Sequence, residues 1–256
     1  MTVRTIIVTG ASRGLGRAIV TQAIQHLNCN VIGVARSQEH LAALAKEAAH
    51  QDRFKYVVGD VTDEKTIAAA VELALSSWSG RLDGLILNAG VLEPIASVAN
   101  ANVAEWKRHF DVNFFSLVTA VTASLPALRE SKGRIVMVSS GAASKPYKGW
   151  AAYCTSKTAM NMLNECIACE EKDVISVAIR PGVVDTEMQS LIREQGAGSM
   201  LDHHAKFVQL HETGSLVKPE VPGYVLANLA ISATPDLHGK YYSYDDPNIF
   251  AKYGKN

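Results

Sequence analysis

The sequence is poor in several things, and each shortage closes off a class of function. Four cysteines in 256 residues, Cys29, Cys154, Cys166 and Cys169, make no disulfide framework. That fits a reducing compartment, with the cytoplasm as the default; a nuclear pool would leave the same numbers. Excess charge is also missing, because 25 Lys and Arg balance 25 Asp and Glu. No global field therefore draws the chain to nucleic acid or to an anionic membrane. No apolar run is expected to reach the length of a membrane span. The apolar part of residues 1–10 is too short for a signal peptide and leads directly into a glycine turn. Metal-ligand spacing is lacking too. Cys166-x-x-Cys169 has no second pair and reads as small core residues within a helix, and His203, His204 and His211 are not spaced as ligands. No metal site is expected.

What is present is a large supply of core. With 48% hydrophobic and 20% charged residues, the chain fits one α/β domain over residues 1–256. Residues 3–9 are rich in β-branched side chains and read as a first strand. Leu15, Ile19, Val20, Ala23, Ile24 and Leu27 then recur at helical spacing. After a polar turn at Asn28–Asn30, residues 31–35 form a short apolar strand of the kind buried on both faces of a parallel sheet. Ser37 can cap a helix carrying Leu41, Leu44 and Ala48. Residues 54–58 give a third strand, and Ile67, Val71 and Leu75 mark a helix ending near Gly80. Strands follow at 82–87, 133–138 and 174–179, separated by helices at about 103–128, where Pro126 should bend or tighten the last turn, and 153–171. A helix over 219–231 and a strand over 239–244 close the chain. This alternation predicts a doubly wound Rossmann fold, a seven-stranded parallel sheet flanked by helices. Residues 185–215 break the rhythm, with Gly196, Gly198 and Gly214 and patchy periodicity, and read as an irregular substrate-binding lid.

Gly10-x-x-x-Gly14-x-Gly16 follows the first strand and opens the first helix. Glycine allows the tight turn and the close backbone approach that a pyrophosphate needs, with the helix's first N–H groups facing it. Asp60 closes the third strand, where its carboxylate can accept from an adenine amino group or, alternatively, cap the next helix. A carboxylate at the end of the second strand would mark an NAD site; here stand Ala35 and Arg36, with Arg13 in the glycine turn. Two guanidiniums suit a 2′-phosphate, which points to NADP(H).

Chemistry is expected at the carboxyl ends of the strands, where Asn88 and Ser140 fall. Tyr153 and Lys157 are spaced to stack on one helix face. A phenol ionises near pH 10, and lowering that by about three pH units takes roughly 4 kcal/mol, which one lysine and a cationic cofactor ring can supply. Asn113 lies among apolar neighbours within a helix, where it must hold a water or cap backbone groups.

With these residues in hand, the sequence resembles the short-chain dehydrogenase/reductase family over nearly its whole length. Residues 9–16 match the family's cofactor turn, Asn88-Ala89-Gly90 its sheet-stabilising motif, and Asn113, Ser140, Tyr153 and Lys157 its catalytic tetrad. Pro181-Gly182 with Thr186 matches the segment that binds the nicotinamide carboxamide. Leu87 departs from the asparagine many members carry there. Residues 33–37, 88–94 and 183–189 are similar to a fungal subgroup akin to benzil reductases and, more distantly, to sepiapterin reductase. The resemblance implies that Gly10, Ser12, Arg13, Gly14, Leu15, Gly16, Ala35, Arg36, Asp60, Val61, Asn88, Ala89, Gly90, Pro181, Gly182, Val184 and Thr186 line NADP(H), together with Tyr153 and Lys157. Tyr153 would act as the general acid, Ser140 as a second donor to the substrate oxygen, Lys157 as the phenol's activator and ribose ligand, and Asn113 as the anchor of a water leading to Lys157.

Tyr147, Trp150 and Met188, with Leu92, Met200 and Phe207, can wall an apolar cavity for a medium-sized ketone or diketone. Nothing there suits a phosphorylated substrate. Met160, Met162, Leu163, Phe114 and Phe115 are candidates for a homodimer surface, and the resemblance implies a dimer or a tetramer. Other readings stay open: an NAD-linked alcohol or polyol dehydrogenase, a pteridine carbonyl reductase, or a cofactor-binding protein without turnover.

Overall fold

Seven strands lie side by side: β1 (Thr5–Thr9), β2 (Asn30–Ala35), β3 (Phe54–Val58), β4 (Gly84–Leu87), β5 (Arg134–Val138), β6 (Ile175–Arg180) and β7 (Tyr241–Ser243). The computed structural model describes residues 3–47 and 52–255. Spatial order is β3-β2-β1-β4-β5-β6-β7, and every neighbouring pair is parallel. Helices α1 (Gly14–Leu27), α2 (Gln38–Lys46), α10 (Glu220–Ser232) and α11 (Pro247–Tyr253) pack into the core on one face. Helices α3 (Glu64–Ser76), α5 (Ser116–Ser131) and α6 (Ala151–Glu170) pack on the other. The chain runs outward from β1 to β3, then returns to lay β4 on the other side of β1. That reversal opens a crevice at the carboxyl ends of β1 and β4, where ligands bind in such sheets.

Strand side chains alternate between the two cores: Ile6 and Val8 face α1 and α10, while Ile7 faces α3. Strand β2 is buried throughout, as its apolar run requires, and Asn30, read as part of a turn, is its buried first residue. Asn28 takes the left-handed position that ends α1. Ser37 caps α2 by accepting from the His40 N–H, and Leu41 and Leu44 are buried; Ala48 lies outside the described residues.

Several helix expectations need correction. Helix α3 ends at Ser76, and Leu75 is 42% exposed because Ile67, Ala70, Val71 and Ala74 complete the buried stripe without it. Helix α4 (Val103–Phe110) runs through a π-turn (Asp111–Phe115) into α5, which continues past Pro126 to Ser131. The resulting rod is long and apolar enough to cross a membrane by length and composition, contrary to the expectation from the sequence. Leu117, Ala120, Val121, Ala127 and Leu128 bury one side of it against the sheet, as a core helix does. Cys166 and Cys169 are exposed and not in the core. Met160, Asn164 and Ile167 take the buried face of α6, and a 3.6-residue period turns the two cysteines outward. Finally, residues 185–215 are not irregular. They contain α7 (Glu187–Gln195), α8 (Ala197–Met200) and α9 (Asp202–Glu212), punctuated by Gly196 and by Leu201 at φ 50.

Candidate active site

The glycine turn sits at the mouth of the crevice. Gly10 (φ 67) and Gly14 (φ 50) adopt left-handed backbone. A Cβ on Gly10 would lie 2.9 Å from the Asn88 amide nitrogen, so the turn closes only without one. Helix α1 begins with Arg13 in an extended conformation, no side chain capping it and no acid in its first turn. Among the described residues no side chain accepts from its leading N–H groups, which fit a pyrophosphate. Asn88 holds the turn against β4: its amide donates to the carbonyl of Thr9 (2.9 Å), while the Asn88 and Ala89 N–H groups donate to the Thr9 hydroxyl (3.0 and 3.1 Å). Leu87 needs no polar partner there and packs in the core.

Ala35 is buried at the end of β2, and the exposed Arg36 follows it with no ion pair among the described residues. Arg13 instead pairs with Glu187 at the start of α7, tying the glycine turn to the segment above it. Both partners are exposed, and such pairs contribute about 0–1 kcal/mol, so an incoming phosphate can displace the carboxylate. Asp60 accepts from the Thr62 N–H (3.0 Å) and hydroxyl (2.9 Å) and closes a turn. It does not cap α3; Asp63 does. Val61 is buried beside it in the α3 core. Thr186 stands over the glycine turn, its methyl 3.2 Å from where a Gly14 Cβ would be. Pro181 and Gly182 (φ 79) leave β6, and Val184 bridges to Val217, so this segment faces the first helix across the crevice.

The four chemical residues converge at the ends of β4 and β5. Tyr153 and Lys157 lie one turn apart on α6, both buried. The Lys157 ammonium donates to the carbonyl of Val138 (2.8 Å) and stands 5.7 Å from the Tyr153 ring centre. A Cβ on Gly90 would be 3.3 Å from Asn113 Oδ1 and 3.7 Å from Lys157 Nζ, so that glycine keeps open the space between them. Ser140, just past β5, has its carbonyl fixed by the Tyr241 hydroxyl (2.8 Å) and its own hydroxyl near the Ala142 N–H (3.2 Å). Burial pushes the Tyr153 phenol up to about 12; a hydrogen bond from Ser140 works the other way. Burial pushes Lys157 down to about 8. The protein's own groups alone therefore keep the phenol protonated; the lowering expected from the sequence needs a cationic cofactor ring as well as Lys157.

The Asn113 amide is engaged by protein groups. Its Oδ1 accepts from the Val91 N–H and its Nδ2 donates to the Val91 carbonyl, both at 2.8 Å. The π-turn aims it there, since the extra residue per turn rotates the amide toward the strand end. Behind it lies His109, which the sequence did not mark. A carbonyl only accepts, so His109 Nδ1 donates to Glu93 (2.6 Å), and Nε2 is left to accept from Asn113 Nδ2 (2.9 Å). The Ser156 hydroxyl is 2.9 Å from that nitrogen and 2.9 Å from the Tyr153 carbonyl, to which it donates. The imidazole edge also meets the Tyr153 ring, with centres 6.2 Å apart. Burial, with Lys157 adding to it, lowers its pKa, so the ring stays neutral. A histidine four residues before Asn113 was the available signal.

Leu92, Trp150, Tyr153, Ile192, Met200 and Phe207 form one buried cluster, with Tyr147 and Met188 partly buried against it. The Trp150 ring centre lies 5.0 Å from that of Tyr147 and 5.1 Å from that of Phe207, both tilted, and 5.8 Å from that of Tyr153, edge-on. Its indole nitrogen is buried with no hydrogen-bond partner among the described residues. Helices α8 and α9 are fastened over the cluster: Lys148 pairs with Asp202 (2.7 Å), the Lys148 N–H donates to His203 (3.0 Å), and Ser199 donates to the Ile95 carbonyl (3.1 Å). His204 bonds the Arg193 carbonyl (3.0 Å).

A glycine turn on an uncapped helix, beside a buried tyrosine and lysine, defines a nicotinamide-dependent oxidoreductase site, and comparison with known proteins agrees. The short chain dehydrogenase family profile matches residues 4–197. The chain is 44% identical to a benzil reductase ((S)-benzoin forming) of Saccharomyces cerevisiae, covering 96% of this chain and 97% of that one. It is 32% identical to the Bacillus subtilis protein of the same description, over 92% and 96%. The crystal structure of a short-chain dehydrogenase/reductase from Saccharomyces cerevisiae superposes with a TM-score of 0.95 at 39% identity, covering 98% of this chain and all of that one. The chain belongs to the short-chain dehydrogenase/reductase family and is a redox enzyme of that family.

Proposed function

We propose that this enzyme is an NADPH-dependent carbonyl reductase of small, uncharged ketones or diketones bearing aromatic or other apolar groups, as its benzil-reducing relatives are described. The observation that carries this reading is the aromatic wall of Tyr147, Trp150 and Phe207 packed against Tyr153. Such a wall rewards flat apolar substituents and offers little to a polyol, whose hydroxyls need several polar partners. Bound NADPH would supply hydride to the carbonyl carbon. Tyr153 donates its proton to the oxygen as charge builds there, and a phenol held at about 12 is reliably protonated at neutral pH. Ser140 donates a second hydrogen bond and orients that oxygen. Lys157, anchored on the Val138 carbonyl, holds the ribose and returns a proton toward the phenol. Asn113 fixes the backbone at Val91, beside Lys157.

Arg36 and Arg13 favour the 2′-phosphate of NADP(H) over the bare ribose of NAD(H). The substrate enters under α8 and α9, so residues 185–215 serve as its lid. A homodimer in the cytoplasm completes the reading, joined through the outward faces of α5 and α6. Reduction of benzil by the purified chain, followed as loss of NADPH, tests it with Tyr153→Phe as the blank. The variant should keep cofactor affinity and lose about 10²–10⁴ in kcat. Activity undiminished by Tyr153→Phe, or absent from the unaltered enzyme toward all aryl ketones but present toward a pteridine carbonyl, would refute it.

A further inference from the structure

Tyr241 lies on β7, the edge strand of the sheet, yet its hydroxyl reaches past β6 and donates to the carbonyl of Ser140 (2.8 Å). The ring must cross β6 to do so, and the β6 residue paired with it, Ala178, has only a methyl. Burial raises the Tyr241 pKa, so the phenol stays protonated and able to donate. The carbonyl it holds belongs to a peptide that is open on one side. A Cβ on Gly141 would meet nothing within 4 Å, so packing does not set the plane from the glycine end. Hydrogen bonds do. The Ser140 carbonyl accepts from Tyr241 and from the Ala143 N–H (3.0 Å), which occupies both of its lone pairs. Ser140 Oγ accepts from the Ala142 N–H (3.2 Å), which leaves the hydroxyl proton free to be donated. The far end of the same turn is tied to α6, where Thr158 donates to the Ala143 carbonyl (2.9 Å). The Ala142 and Ala143 bonds lie within the turn and would move with it, whereas Tyr241 ties the serine to the sheet.

We propose that Tyr241 is a positioning residue for Ser140: its hydroxyl holds the Ser140 carbonyl so that the serine hydroxyl is aimed at the oxygen that Tyr153 protonates. The inference rests on the carbonyl-reductase reading above and adds to it a residue that acts through Ser140. A donor contributes in the transition state only as far as it is already pointed where charge develops, so a serine loosened at its backbone gives up part of its effect.

The test is a double-mutant cycle on the purified chain with benzil and NADPH, read as single-turnover rates with enzyme in excess so that slow variants remain measurable. Tyr241→Phe removes the hydroxyl and keeps the ring. In the otherwise unaltered chain it should lower the rate about tenfold and leave the Kd for NADPH within about twofold. In a Ser140→Ala background the same substitution should change the rate by less than about twofold, because the group it positions is gone. An equal loss in both backgrounds would overturn the proposal and have Tyr241 act on Tyr153 or on the fold. An undiminished rate in Tyr241→Phe would overturn it too. An unaltered chain that reduces no ketone would refute the carbonyl-reductase reading, and the placement of Ser140 would then be judged by itself. The crystal structure of Tyr241→Phe should show the Ser140 hydroxyl turned from Tyr153 or spread over more than one rotamer. A hydroxyl still in its place beside Tyr153 would overturn the proposal.

Discussion

Burial acts on Tyr153 and Lys157 in opposite senses, and the consequence is a pH dependence with a definite sign. Lys157 is depressed to about 8, so the ammonium is lost as pH rises through that value. Tyr153, raised to about 12, remains protonated across the same range. The kcat/KM for ketone reduction should therefore fall on the alkaline side with an apparent pKa near that of Lys157, and no limb should belong to the phenol until far higher pH. A profile of kcat/KM against pH checks this; a flat profile through the alkaline range would remove Lys157 from the reaction. The same scale holds the cofactor choice. Arg36 is exposed and has no ion pair among the described residues, while Arg13 is shared with Glu187, so the proposed preference for NADP(H) is tested first at Arg36. Losing a charge-assisted bond costs about 1.5–3 kcal/mol. Arg36→Asp should lower the NADPH-to-NADH preference by roughly tenfold or more, read from the ratio of the two kcat/KM values. An unchanged ratio would place the phosphate elsewhere.

At the scale of elements, the π-turn between α4 and α5 is the part that positions chemistry. It turns Asn113 onto Val91, and His109 holds the amide from behind while bracing the Tyr153 ring. Replacing His109 with Leu leaves the Asn113 amide short of an acceptor inside the fold, at a cost of about 1–3 kcal/mol in stability. As a positioning residue, it should affect kcat more than KM, and His109→Gln, which keeps a donor and an acceptor, should recover much of the loss. A fall in stability with kcat intact would confine His109 to a structural role. This element also marks what could be read in advance. The glycine turn, Ser140, Tyr153 and Lys157 were legible because each is a short local pattern whose spacing alone fixes its face. His109 was not, since its role depends on Glu93 and Ser156, which only tertiary folding brings to it. Cys166, Cys169 and Leu75 misled for a related reason: an apolar or small residue at helical spacing still falls outside when three or four neighbours already fill the buried stripe. The helices within residues 185–215 were hidden by the glycines that separate them.

On the whole molecule, the outward faces of α6 and of the π-turn that leads into α5 carry exposed apolar side chains. Phe115 is 55% exposed and Met162 58%, and Val118 lies exposed on the turn beside Phe115. Of the side chains singled out from the sequence, Met160 is buried in the core, and Leu163 and Phe114 are only partly exposed, so the candidate surface narrows to these three. Exposed apolar side chains set singly are ordinary, but several of them on elements that pack together suit a self-complementary two-fold contact, in which one patch meets its own copy. A carboxylate placed at the centre of such a contact meets its own image across the axis and is desolvated without a partner. Met162→Glu should therefore convert a species of twice 27.5 kDa into one of 27.5 kDa in sedimentation equilibrium. Because Met162 points away from the sheet, the far-ultraviolet circular dichroism should not change with it. A variant that sediments as the unaltered dimer would move the interface off α6, and a chain that is monomeric before any substitution would remove the dimer altogether.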